Sequence, residues 1–236
     1  LFILLGLVPA QTAARARTIK GSGVMRTETR EAGRYTGLKV ARGVAATIVE
    51  SDSENLVVEA DEKIIGYVVT TIDKQGVLLL TIDPEIDNIR DCDVRISVPK
   101  PEVLQSLTAT SGGRVTCRTV VNTPTLNVRT TSGAHAEIAC EGDGCTLSAT
   151  SGSEIKANLA VGRCAIEAHS GAEINVKGVA EECKINAMSG ATCKARNLLT
   201  RRTEARASSG GSVSYWGDCR LVGFKKNLTG SVTHKR

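Results

Sequence analysis

The sequence predicts an all-β fold, a single-stranded parallel β-helix (a β-solenoid) of about 19–21 residues per coil. Three observations carry that prediction. The dipeptide Ser-Gly returns at Ser111, Ser132, Ser151, Ser170, Ser189 and Ser209, with successive serines 21, 19, 19, 19 and 20 residues apart. Apolar and polar residues alternate with period two on both sides of each dipeptide, as on a strand with one buried face. Aromatic residues are only 3% of the chain while glycine numbers 23, a composition that suits a thin stack better than a broad core.

In chain order, Leu1 to Val8 is an apolar run of eight residues followed by small residues around Ala13, Ala14 and Ala16. It is too short to span a bilayer and reads as the apolar region of a truncated secretory signal over residues 1–16, with cleavage after Ala14 or Ala16. Residues 23–100 are strand-rich without the repeat period and form a head: a cap on the solenoid or its irregular first coils. Within it Val24 to Thr29 alternates, Leu38 to Ala41 leads through Arg42-Gly43 to Ala46 to Glu50, and Leu56 to Ala60 follows a polar turn. Asp61 is placed to cap a short helical turn through Ile64 to Tyr67. Val69 to Ile72 and Val77 to Ile82 flank Asp73-Lys74-Gln75-Gly76, a hairpin signal. Val94 to Pro99 closes the head, and Pro99-Lys100-Pro101 marks the passage into the repeats.

Residues 101–236 are the repeat domain. Four residues before the serines stand Leu107, Val128, Leu147, Ile166, Ile185 and Ala205; two before stand Ala109, Thr130, Ala149, Ala168, Ala187 and Ala207. Four after come Val115, Ala136, Ile155, Ile174, Cys193 and Val213, and six after come Cys117, Ile138, Ala157, Val176, Ala195 and Tyr215. These positions face inward and the polar residues between them face out, giving two short strands per coil. Glycine supplies the freedom a tight corner needs. The serines are in phase with the inward set, which predicts a ladder of hydroxyls at one corner. Cys145, Cys164 and Cys183 share the inward position six before their serines and are expected to be buried thiols. In-register parallel neighbours point their Cβ atoms alongside each other, which strains a bridge between coils. Cys140 and Cys145 are the pair best placed for a bridge, if one forms.

The formal net charge of +5 is unevenly placed: from Arg196 onward nine basic residues face only Glu204 and Asp218. Arg201, Arg202, Arg206, Arg220, Lys225 and Lys226 fall in the final coils and are the candidate ligand-binding residues. Their expected partner is an anionic polysaccharide or envelope surface. A solvated charged cap that stops end-to-end stacking is the plainer reading of the same charges.

Motifs for catalysis, metals and cofactors are missing. The serines lack a nucleophile-elbow context, His135, His169 and His234 lie far apart in sequence, and no Cys-x-x-Cys or phosphate loop occurs. No cofactor, nucleic-acid partner or transmembrane segment is implied. One pair carries a catalytic alternative. Glu154 and Glu173 share the outward position of consecutive coils, about 5 Å apart at the backbone, a separation that suits a retaining glycosidase. Lys156 stands beside Glu154, and Trp216 is the single tryptophan, so a solvated charged face is the plainer reading.

The extended stretch with Gly43-Val44-Ala45 and Val57 to Glu62, then Val94 to Pro99, the Ser-Gly coils, Tyr215 and Lys226 to Gly230 together resemble the bacterial head GIN domain family of auto-transporter adhesins. The family often has Gly-Ile-Asn or Gly-Ile-Asp where this chain has Gly43-Val44-Ala45. The resemblance implies a β-helical, exported protein of the periplasm or cell surface, with no catalytic residue to carry over. The expectation is therefore a non-enzymatic binding or structural module of the cell envelope, with a homo-oligomer left open. The alternative is a β-helix lyase or glycosidase acting on polysaccharides.

Overall fold

The computed structural model describes residues 17–216, 220–226 and 229–235, with the backbone alone for 220–226 and 235. The predicted signal segment lies outside the described residues. The head contributes β1 (Thr18–Lys20), β2 (Met25–Glu31), β3 (Gly37–Val40), β4 (Ala45–Val49), β5 (Asn55–Asp61), β6 (Val68–Ile72), β7 (Val77–Ile82), β8 (Asn88–Arg90) and β9 (Val94–Pro99). The coils follow as β10 (Ser106–Ala109), β11 (Arg114–Asn122), β12 (Thr125–Thr130), β13 (His135–Ala149), β14 (Glu154–Ala168), β15 (Glu173–Met188) and β16 (Thr192–Ser208). The last coils hold β17 (Ser212–Trp216), β18 (Arg220–Lys226) and β19 (Ser231–Lys235).

Successive coils pair in parallel and, apart from local shifts, in register, so inward side chains lie over their counterparts one coil away. Leu147, Ile166 and Ile185 form one such column, and Ala149, Ala168 and Ala187 another. The predicted inward residues are buried from Leu107 to Tyr215, with Cys117 half-buried. The interior is narrow, which is why alanine, cysteine and single branched aliphatics recur there.

Three expectations are corrected. First, β13 to β16 each run 15 to 17 residues across both faces, where two short strands per coil were expected. The second bend does not interrupt pairing, because Glu141, Ala160, Val179 and Leu199 stay in register through it. Second, the six serines are exposed and do not stack inward. Each adopts a positive φ of 50–55° and the following glycine one of 67–77°. Two consecutive left-handed residues break the alternation and turn the serine side chain to solvent. The backbone carries the ladder instead: Gly112, Gly133, Gly152, Gly171 and Gly190 each donate N–H to the serine carbonyl one coil on, at 3.0–3.2 Å.

Third, Asp61 does not cap the short 3-10 turn at Ile65–Tyr67, whose N-cap is Ile64. Its buried carboxylate instead accepts the N–H groups of Ser22 (2.7 Å), Gly23 (2.8 Å) and Lys63 (3.0 Å). The preceding chain lies beside that carboxylate because β2 runs antiparallel to β5 with Met25 opposite Asp61.

The head is both of the things expected of it. Strands β3 and β4 make a coil around the corner Arg42-Gly43, with φ of 57° and 75°, and pair in parallel with β10 and β11. Strands β7 and β9 supply the coil beneath. Over that end β2, β5 and β6 add antiparallel strands, including the expected β6–β7 hairpin, so the stack is closed there.

Cys145, Cys164 and Cys183 are buried in one column, and the Cys164 Sγ donates to the Cys183 Sγ at 2.8 Å. Cys140 and Cys145 share a side-chain hydrogen bond, and no disulfide joins the described cysteines.

Candidate binding surface

Because coils stack in register, the outward residues also line up in columns, and any function of the lateral faces resides in these columns. At the C-terminal end Arg202 pairs with Arg220, Arg206 with Lys225, and Ala207 with Lys226 across β16 and β18. The side chains of Arg220, Lys225 and Lys226 lie outside the described residues. Among the described three, Arg202 Nη1 donates to Glu182 Oε1 at 3.0 Å and Arg206 forms an ion pair with Glu204. Arg201 is exposed at the second bend. Local carboxylates thus offset part of the charge counted in the sequence.

Glu154 and Glu173 are register partners on β14 and β15, as expected. Each is held by other groups. Glu154 sits 3.1 Å from both His135 Nδ1 and Lys156 Nζ, and Glu173 lies 2.6 Å from Lys194 Nζ. Partial burial by itself raises the Glu154 pKa, but the hydrogen bonds from Lys156 and His135 outweigh it and hold the carboxyl below the ordinary glutamate value. A glycosidase acid needs the opposite shift. Trp216 is exposed at the end of β17.

Recesses open on the lateral faces of the described residues, and two of them were not anticipated from the sequence. The larger, about 460 Å³, lies on the strand segments that precede the Ser-Gly corners. Its floor is the column Thr146 and Ala165, and its walls include Asp143, Arg163, Glu182 and Lys184. Short outward side chains flanked by long ones are the signal that would have found it. The second, about 330 Å³, lies on the opposite strand segments and is lined by Glu137, Lys156, Asn158, Asn175 and Lys177. Register shifts after Thr116 and after Asn175 bound it, and such bulges locally bend a sheet. Among the described residues no three His, Cys, Asp or Glu side chains converge to hold a metal, and no helix is long and apolar enough to cross a membrane.

A family model described as "Putative auto-transporter adhesin, head GIN domain" matches residues 34–220. Crystal structures share the fold at low identity. A "putative adhesin" from Parabacteroides distasonis ATCC 8503 superposes with a TM-score of 0.79 at 14% identity, covering 92% of this chain and 100% of that one. A "putative adhesin" from Parabacteroides merdae ATCC 43184 gives 0.76 at 16% identity, over 93% and 98%. A "putative lipid binding protein" from Parabacteroides distasonis ATCC 8503 gives 0.76 at 16%, over 92% and 97%. No curated protein matches the chain.

Proposed function

The chain belongs to the family described as "Putative auto-transporter adhesin, head GIN domain", and from that premise we propose that it is an exported, non-enzymatic binding module of the bacterial cell envelope. It acts in the periplasm or at the cell surface, and it holds an anionic polymer or envelope surface through its C-terminal end. The register that sets Arg202 against Arg220 and Arg206 against Lys225 carries this reading, since it places basic residues at matching backbone positions of two paired strands. Such a cluster attracts anions through a potential screened over about 8 Å at physiological salt, so binding is weak and falls as salt rises.

The test is salt-dependent binding of the mature chain to immobilised anionic glycans, with anionic and zwitterionic lipid vesicles as further arms. Replacing Arg201, Arg202, Lys225 and Lys226 by Ser is expected to weaken binding at least about tenfold while leaving the thermal melt unchanged. Unchanged binding by that folded variant would make the basic end a cap and nothing more. The enzyme reading is retained as the alternative. Polysaccharide turnover lost on Glu154→Gln or Glu173→Gln would establish it, and the ion pairs that lower the Glu154 pKa speak against it.

A further inference from the structure

We infer that the recess over Thr146 and Ala165 is a discrete subsite for a carboxylated sugar, held between Arg163 and Lys184. This deepens the proposed function by naming a ligand class and a second set of residues, and it rests on that reading. Three observations lead to it.

The first is shape. A cavity of about 460 Å³ falls within the size range of small-ligand sites, and a solenoid face has no reason to be concave unless its columns differ in side-chain length. Here Thr146 and Ala165 are register partners with short side chains, and Lys184, next in that column, closes the recess on the C-terminal side. Arg163 and Glu182 form the neighbouring column, two residues earlier in each strand.

The second is charge. Glu182 lies opposite Arg163 in register, yet its carboxylate is turned to Arg202 at 3.0 Å. Among the described residues no carboxylate comes within ion-pairing distance of Arg163 or Lys184, although Lys156, Lys194 and Arg206 are each paired. Two cations therefore border a small floor with their donors open. The guanidinium fork of Arg163 matches the two oxygens of a carboxylate, and Lys184 adds a point charge from another side.

The third is what surrounds them. Thr125 and Thr146 bring hydroxyls, and Asp143 brings an acceptor for sugar hydroxyls. No aromatic side chain lines the recess, so a neutral sugar finds no stacking platform there. Recognition must come from charge-assisted hydrogen bonds, which selects an acidic sugar over a neutral one. Glu182, fixed by Arg202, ties this subsite to the basic end, so a polymer crossing the recess runs on toward β16 and β18.

The experiment titrates the mature chain with a galacturonic acid trimer, using a maltose-type neutral trimer and a sulfated heparin trisaccharide as comparisons. The acidic trimer is expected to bind, the neutral one not, and Arg163→Ser with Lys184→Ser to weaken the acidic trimer at least about tenfold. Ala165→Glu, which fills the floor with a like charge for the ligand, is expected to do the same. Both variants change outward residues, so their melts should match the parent. Undiminished trimer binding by either folded variant overturns the subsite, as does equal binding of the neutral trimer or preference for the sulfated one. If the parent binds an anionic polymer but no trimer, the subsite fails and the basic-end reading stands. If it binds neither polymer nor trimer, the basic-end reading itself has failed.

Discussion

The head and the repeats build the same coil from different material. In the repeats one continuous stretch of chain makes each coil, and its column neighbours are nearly identical in size, as with Leu147, Ile166 and Ile185. In the head a coil is assembled from separated segments. Leu38 on β3 meets Leu78 on β7, and Ala46 on β4 meets Ile96 on β9, while β5 and β6 leave the stack to pair antiparallel. The corner geometry is common to both, with Arg42-Gly43 taking the positions that Ser-Gly takes elsewhere and Gly43 N–H donating to the Ser111 carbonyl at 3.1 Å. A coil therefore depends on the left-handed corner and the inward register, and the repeated sequence is only the simplest way to supply them. What the head adds is an end. Its antiparallel strands cover a stack edge that would otherwise offer unpaired backbone groups to another chain.

If the shared register is what matters, a charge placed inward should be as damaging in the head as in a coil. Ile166→Asp, Ala168→Arg and Leu78→Asp each bury a charge at a position exposed by no more than 1%. Each is expected to cost several kcal/mol, comparable with the whole stability of a domain, and to abolish the cooperative thermal transition. Glu167→Arg, outward and one residue away, should stay within about 0.5 kcal/mol of the parent. A cooperative melt for Leu78→Asp beside unfolded coil variants would show that the head is held by its antiparallel strands instead.

A smaller effect separates backbone approach from corner conformation within the coils. A Cβ on Gly178 would lie 2.0 Å from the Leu159 carbonyl oxygen at a φ of +110°, whereas one on Gly152 would meet open space at +67°. Gly178→Ala should therefore lower stability by roughly 2–3 kcal/mol and Gly152→Ala by about 1–2 kcal/mol, read from urea midpoints. Reversal of that order would locate the constraint at the corner and not in the coil-to-coil spacing.

The smallest effect concerns the head alone, where one carboxylate holds the entry of the chain. The N–H of Lys63, with those of Gly23 and Ser22, keeps the Asp61 pKa below its ordinary value despite burial. Its stabilisation is thus present above the ordinary aspartate value of about 3.9 and is lost as pH falls through the lower folded value. Asp61→Asn should be less stable than the parent at pH 7, with the gap narrowing below about pH 4 in urea titrations. A gap constant from pH 7 to 2 would mean that the hydrogen bonds and not the charge matter.

The sequence alone determined the coil period, the inward columns and the place of each corner, because a period of about 20 residues and an alternation of two leave one consistent stacking. It placed Cys145, Cys164 and Cys183 in one buried column for the same reason. Tertiary structure decided what alternation cannot encode. Two left-handed residues at each corner turned the serines outward, since a φ reversal is a local event that period-two counting passes over. The chain preceding β2 gave Asp61 two donors from 38 and 39 residues back beside the Lys63 N–H just ahead, because an antiparallel partner lies close in space and not in sequence. Arg163 and Lys184 acquired their open recess only when stacking set Thr146 against Ala165 and gave Glu182 to Arg202. Side chains on separate coils pair by distance in space, and that distance is set by the stacking and not by the sequence separation.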